Sequence, residues 1–374
     1  MKNFITVYDR YIFTQVLVTT LVAILLFTIV WIAPEMLLST IKKVLNGVYP
    51  AKTGLLLLIY EIPLILGKAF PVGLLLGSLF TFDKLSKDSE LTIFRAVGIS
   101  FPRMLLPLLV LSVIISFFCF ITYDKLIPYS CQKREAIKGS KVLTQYIYTQ
   151  KDDKNRPKNS VVVSKFFNGT MSGVIVLDFA EKIFSDLHGL DNVMVAENGV
   201  KSVNEKGEPC WKLDDITAYH INEEGIFESI KKINTINILN GEVAENAYNI
   251  MINSTRRDRE MYNNELYEYV KLLKQERMDE DYRLLLNKYY QRFLHPFVCI
   301  LLAIMGCLLG FSKPREQRLV GFTIAIGCIF AYYITLPFFD LLAEKGVLPP
   351  LFCAAFPPVA FLAAIIAFYK SKDL

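Results

Sequence analysis

Apolar residues along this chain follow two rhythms. In the first they run unbroken. Tyr11 to Ala33, Met104 to Tyr123, Phe293 to Ser312, Leu319 to Phe339 and Leu348 to Tyr369 contain no Asp, Glu, Lys or Arg, and Ile62 to Phe82 contains only Lys68. At 1.5 Å per residue each run makes about 30 Å of helix, the thickness of a bilayer's hydrocarbon core, so the pattern predicts six transmembrane helices. The second rhythm is confined to the middle of the chain, where short β-branched runs alternate with turn residues. Val142 to Tyr148, Ser160 to Phe167, Gly173 to Phe179, Asp191 to Glu197, Trp211 to Ile221 and Ile233 to Leu239 read as strands, broken by Asn168-Gly169, Asn198-Gly199 and Lys206-Gly207. Many short strands with short turns predict an antiparallel sandwich, roll or partly open barrel. From Thr255 to Arg292 the pattern becomes charged and helical, with Leu266, Tyr269, Leu272 and Leu273 at three- and four-residue spacing, and leads into the fourth span.

Composition supports this division. The chain has 374 residues, 53% of them hydrophobic, and a mean hydropathy of +0.36, whereas Asp124 to Arg292 is polar enough to fold as a domain of its own. Positive charge sets the orientation. Lys2, Arg10, Lys84, Lys87, Arg95, Arg103, Lys313, Arg315, Arg318, Lys370 and Lys372 flank one side of the spans, while Lys42, Lys43, Lys52 and Lys345 flank the other. Cationic loops stay in the cytoplasm, so both termini and the segment from Phe82 to Met104 are expected inside and the β domain outside. The first run is too long for a signal-peptide core and is read as a retained span. A net charge of +5, spread along the chain, gives no basic patch for nucleic acid. Cys131 and Cys210 alone fall in the exported region, where a single disulfide is open to them.

The charged insert between the second and third spans, FDKLSKDSELTIFRAVGISFPRM, carries helix punctuation. Ser86 is a candidate cap for a helix of about three turns with Asp88 and Glu90 in its first turn. Gly98 is a stop, and Ser100 with Pro102 starts the next span. Glu90, Phe94 and Val97 at i, i+4 and i+7 share a face. Charges of both signs around that face suit a protein groove better than an anionic lipid surface, with an ordinary interfacial loop helix as the alternative. Lys68 inside the second span needs either a polar cavity, a charged ligand or a route to the outer headgroups, and Glu61 is too far along the axis to pair with it comfortably. Lys42, Lys43 and Lys52, with Lys68, would suit the phosphates of a lipid in the outer leaflet; a solvated loop is the alternative. The chain has no GxxxxGK[ST], HExxH or GxSxG, and His188, His220 and His295 are too scattered for a metal site, so catalysis by this chain is not expected. His295 reads as an interfacial side chain.

Several of these residues resemble the LptF/LptG permeases of lipopolysaccharide export. The resemblance lies in Asp9-Arg10-Tyr11-Ile12 at the first span, Phe70-Pro71 in the second, LSKDSELTIFRAVGIS from Leu85 to Ser100, NKYYQRFLHPF before the fourth span and GFSKPREQR after it. It implies an α+β membrane protein of six transmembrane helices with a periplasmic β-jellyroll inserted between helices 3 and 4. The expected divisions are residues 1–123 for helices 1–3 with a cytoplasmic coupling helix at about 86–98, residues 124–254 for the jellyroll-like domain, and residues 255–374 for the connecting helix and helices 4–6.

The resemblance further implies a bacterial inner-membrane protein paired with a second permease of the kind. A cytoplasmic ATPase, which would bind the ATP and Mg, clasps the coupling helix through Glu90, Leu91, Phe94, Arg95 and Val97. LptC/LptA-like jellyroll proteins receive the lipopolysaccharide, whose phosphorylated head would meet Lys42 and Lys43. Lys68 as a head-group ligand is a reading of its position alone. Two alternatives remain: a membrane-anchored receptor with an exported β domain, and an ABC permease for another lipid cargo.

Overall fold

The computed structural model describes residues 6–32, 37–139, 143–151, 156–167, 169–181, 188–222, 226–311 and 318–371. Lys2, Asn168, Lys313, Arg315 and Lys372, with most of the GFSKPREQR motif, lie outside them. The chain divides into two compact units, one made of Met1–Ile137, Tyr262–Leu266 and Arg283–Leu374, the other of Lys138–Met261 and Tyr267–Tyr282.

The first unit is helical. It comprises α1 (Val7–Ile32), α2 (Leu38–Leu45), α3 (Ala51–Ile59), α4 (Ile62–Lys87), α5 (Glu90–Ala96), α6 (Phe101–Ile121), α7 (Ile127–Lys138), and, after the second unit, the later part of α10 (Asp279–Gly310), then α11 (Arg318–Glu344) and α12 (Pro350–Ser371). Among the described residues six stretches are long and apolar enough to cross a bilayer: Val7–Ile32, Ala51–Lys87, Phe101–Lys138, Asp279–Gly310, Val320–Glu344 and Pro350–Lys370. Each takes in all but one or two residues, at most, of one of the six expected runs. The third continues through a wide turn at Thr122–Leu126 into α7, so the helix passes the 123/124 division without a break.

Close contact at α4 organises this unit. Gly73 and Gly77, four residues apart, lie against α1, where an added Cβ would come within 2.2 Å of Ile24 and of Thr20 respectively. On α10, Gly306 and Gly310 press against the carbonyls of Leu75 and Leu79, leaving 2.2 and 2.5 Å for a Cβ. In lipid no hydrophobic force draws one apolar helix to another, so association depends on dispersion contact and hydrogen bonds, and paired small residues let the backbones approach. The hydroxyls of Thr19 and Thr81 then meet across α1 and α4 at 2.6 Å.

Two polar groups in this bundle sit differently from their sequence reading. Glu61, considered beside Lys68, instead forms a buried ion pair with Arg134 of α7, which also lies 3.5 Å from Glu135. His295 is not interfacial. It is 8% exposed and is held by the hydroxyls of Tyr332 and Tyr123, the latter at 3.3 Å, and by the Gly67 carbonyl at 3.4 Å. A buried imidazole needs such partners because an unsatisfied polar group in an apolar interior costs about 1–3 kcal/mol.

The second unit is a six-stranded antiparallel sheet in sequential order, formed by β1 (Leu143–Lys151), β2 (Pro157–Phe167), β3 (Thr170–Glu181), β4 (His188–Val203), β5 (Pro209–Ile221) and β6 (Phe227–Asn240). Each expected strand is present, but Asn198-Gly199 does not end one: β4 runs through it, with Asn198 and Gly199 paired to β3 on one side and β5 on the other. One face is packed: Tyr148, Val161, Val176 and Tyr146, Val163, Val174, Ala196, Ile216 are paired across strands and buried. Against this unit's core lies α8 (Glu242–Ser254), which the sequence reading missed; the charged stretch expected to be helical then supplies α9 (Asn263–Gln275) and the start of α10. Its Ala244, Ala247, Ile250 and Met251 are buried, and its Ala244 carbonyl accepts the Trp211 indole N–H at 3.0 Å. Cys131 and Cys210 are both buried thiols. Together the two units make an α+β membrane protein with a β domain inserted in the middle of the chain.

Candidate functional site

The insert between the second and third spans folds differently from its punctuation. Ser86 does not cap a helix; it is a buried residue of α4, which runs on to Lys87. Ser89 makes the break by adopting φ 60°, and α5 follows with seven residues, about two turns rather than three. Its end matches expectation, because Gly98 turns the chain at φ 89° and α6 begins after Ser100 with Pro102 in its first turn.

The seven-residue helix is too short to be stable by itself and is held by what it rests on. Leu91 is 2% exposed, within the bundle's core. The Phe94 ring meets that of Tyr8 edge to face at 4.7 Å. The Tyr11 hydroxyl donates to Glu90 Oε1 at 3.0 Å. Tyr8 and Tyr11 are three residues apart on α1, so one face of that helix grips α5 at both ends.

The start of α1 is itself braced. Thr6 and Asp9 cap each other, the Thr6 N–H donating to Asp9 Oδ2 at 2.9 Å and the Asp9 N–H to Thr6 Oγ1 at 3.4 Å, a Thr-x-x-Asp version of the reciprocal cap. Arg103 in the first turn of α6 then forks onto both Asp9 oxygens at 2.6 and 2.7 Å. With the Arg103 side chain 36% exposed the attraction is screened and contributes about 1 kcal/mol or less. Its effect is geometric, since a bidentate pair fixes the two helices in one orientation.

The burial pattern of α5 changes which residues face outward. Of the five expected to meet a partner, Leu91 and Phe94 face inward, Glu90 is partly buried against Tyr11, and Arg95 is exposed with its guanidinium 5.7 Å above the Phe311 ring. Val97 is 76% exposed, and beside it stands Ile93, 57% exposed. The sequence reading passed over Ile93, although its four-residue spacing from Val97 was the available signal. The outward face is therefore apolar in the middle with Glu90 and Arg95 at its margins.

The lysines expected to meet a lipid head are placed as follows. Lys42 and Lys43 are exposed in the last turn of α2, where cations also suit the helix dipole. Lys68 lies half-buried in α4 with its ammonium 5.2 Å from the Trp31 ring centre, and its backbone carbonyl accepts the Tyr333 hydroxyl at 2.7 Å.

The β unit adds a second feature. Alternation along each strand puts a separate set of side chains on the face opposite the packed one. Ile147, Val162, Ile175 and Val195 stand in one row across four strands, and Leu177, Val193, Tyr219 and Ile230 in the next. Ile147 is 58% exposed and Ile230 63%. An antiparallel sheet with one packed face ordinarily turns polar residues outward; this one presents apolar rows.

Among the described residues no group of His, Cys, Asp and Glu could hold a metal ion. Among curated proteins, none matches the chain. The family model described as lipopolysaccharide export system permease LptF/LptG matches residues 10–371, from the end of the braced first turn to the last helix. The chain, a multi-pass membrane protein, thus belongs to the LptF/LptG family of permeases.

Proposed function

We propose that this chain is one of two paired permeases that extract lipopolysaccharide from the bacterial inner membrane, with both termini in the cytoplasm and the β unit in the periplasm. A separate ATPase subunit binds ATP and Mg and holds α5. Glu90, Arg95, Val97 and Ile93 meet that subunit, while Leu91 and Phe94 anchor the helix. Lys42, Lys43 and Lys68 face the phosphates of the lipid. The open apolar face of the sheet then shields acyl chains as part of a jellyroll path toward LptC/LptA-like proteins. Exposing apolar surface to water costs roughly 25 cal/mol per Å², so a greasy cargo needs such a face.

The observation that carries this reading is the braced junction. A helix that presents Ile93 and Val97 outward, and is gripped by Tyr8 and Tyr11 of a span that Asp9 ties to Arg103, would convert a push on α5 into movement of α1 and α6 together. The test is to replace Arg103 with Ala in the assembled transporter. The ATPase subunit should still co-purify, because α5's outward face is untouched, while ATP-driven lipopolysaccharide release drops several-fold. Unchanged release would remove the brace from the mechanism. Glu90→Lys with the ATPase fully retained and active would remove the docking role of α5.

A further inference from the structure

Three helices of the first unit are irregular at one level. In α4, Pro71 has no N–H to give to the Gly67 carbonyl one turn earlier, and in α10 Pro296 breaks the ladder in the same way. The wide turn at Thr122–Leu126 that ends α6 holds Tyr123, and it is a bulge of the kind found at functional sites.

The three breaks meet at His295. Its Nε2–H reaches the Gly67 carbonyl at 3.4 Å, and since a carbonyl only accepts, the proton is on that nitrogen. The Tyr123 hydroxyl stands 3.3 Å from the same atom, while Nδ1 is bonded to the Tyr332 hydroxyl of α11. Gly67 lets Tyr123 come this near, because a Cβ there would lie 3.1 Å from its ring. The next carbonyl of α4, on Lys68, accepts the Tyr333 hydroxyl at 2.7 Å, and the Pro296 carbonyl accepts the Ser116 hydroxyl of α6, also at 2.7 Å. At Gly67 a side chain of a neighbouring helix thus takes the place of the missing main-chain donor.

On the two sides of this level the packing differs. Before it, Glu61 is fixed by the buried pair with Arg134. After it, Gly306 and Gly310 seat α10 on α4, and Gly73 and Gly77 seat α4 on α1, so these stretches turn as one body. α5 follows directly after that body's end at Lys87. From Pro71 to Lys87 α4 runs about 24 Å, so a change of about 15° in its bend shifts the α5 end by about 6 Å.

We propose that this level is the hinge of the transport cycle and that His295 is its positioning residue, holding the Gly67 carbonyl while the α5-side halves of α4 and α10 swing. The inference rests on the transport reading above and adds where the bundle bends.

Substitutions in the assembled transporter test it, with ATP-driven lipopolysaccharide release and unfolding temperature in detergent measured side by side. Pro71→Ala returns an N–H to the Gly67 carbonyl and stiffens α4, so release should fall about fivefold or more with an unfolding temperature no lower than that of the wild type. His295→Phe keeps a ring but loses the donor, and should lower both. His295→Gln, whose amide keeps an N–H for the carbonyl, should hold release within about twofold of the wild type. The decisive variant combines Pro71→Ala with His295→Phe. If His295 only fills a structural gap, the returned N–H rescues release; in a hinge it rescues the unfolding temperature alone. The inference fails if the double variant, or Pro71→Ala by itself, releases lipopolysaccharide like the wild type. Should His295→Phe not fold, Pro71→Ala decides. A wild-type transporter that releases no lipopolysaccharide would instead remove the transport reading, and the hinge with it.

Discussion

The spans α10 and α12 have the same peak mean hydropathy, 2.3, yet 67% of the most apolar window is buried in one and 28% in the other; α11, at 1.8, is buried for only 17%. Hydropathy measures compatibility with an apolar medium and does not say whether that medium is lipid or protein. What separates these helices is where their small residues point. Gly306 and Gly310 of α10 both lie against α4 backbone carbonyls, whereas on α11 Gly321 meets the Leu309 carbonyl of α10 and Gly327 faces open space. A glycine spacing in a membrane helix therefore marks an interface only when the facing helix also comes close, which a single sequence does not reveal.

The sharpest way to break this comparison is to place the same side chain at both kinds of glycine. Gly306→Leu drives a branched side chain into the Leu75 carbonyl and should cost about 3 kcal/mol or more, seen as a large fall in unfolding temperature in detergent micelles. Gly327→Leu in the same assay should leave that temperature unchanged. Equal losses would show α11 to be as tightly packed as α10.

The outer helix is nonetheless tied at one end, and this gives a middle-sized effect. Asp340 of α11 accepts hydrogen bonds from Asn287 at 2.8 Å and Gln291 at 2.9 Å, and pairs with Lys288, all on α10. Asp340→Ala strands three donors and should cost about 1–3 kcal/mol. Faster proteolysis of α11 with α10 intact would place the loss at this tie. The smallest effect belongs to the outward face of α11, where Ile334 is 67% exposed. Ile334→Ala should change stability by no more than about 0.5 kcal/mol. A loss several times larger would show that this face is packed against protein in the membrane.

Six spans and six strands were legible because each rests on a short-range pattern, unbroken apolarity in one case and β-branched runs with turns in the other. The α5 junction was only half legible. Gly98, Ser100 and Pro102 act locally and do what their residue types demand. Ser86 did not cap, because Phe82 and Leu85 find burial in the bundle's core and that packing carries α4 past it. Tyr11 for Glu90 and Arg134 for Glu61 are partners separated by 79 and 73 positions, and nothing in one sequence links such positions. The missed α8 has the opposite cause. EVAENAYNIMINS carries too few large apolar residues to stand out, and its buried side rests on Ala244 and Ala247, small enough to lie close to their neighbours.

The strict succession of the sheet, in which every strand pairs with the ones just before and just after it, bears on how that unit is made. No strand waits for a distant stretch of chain, so loop-closure entropy stays low and the ladder can lengthen one rung at a time in the order of synthesis. A module laid down in this way leaves its newest edge open for pairing until the following strand arrives.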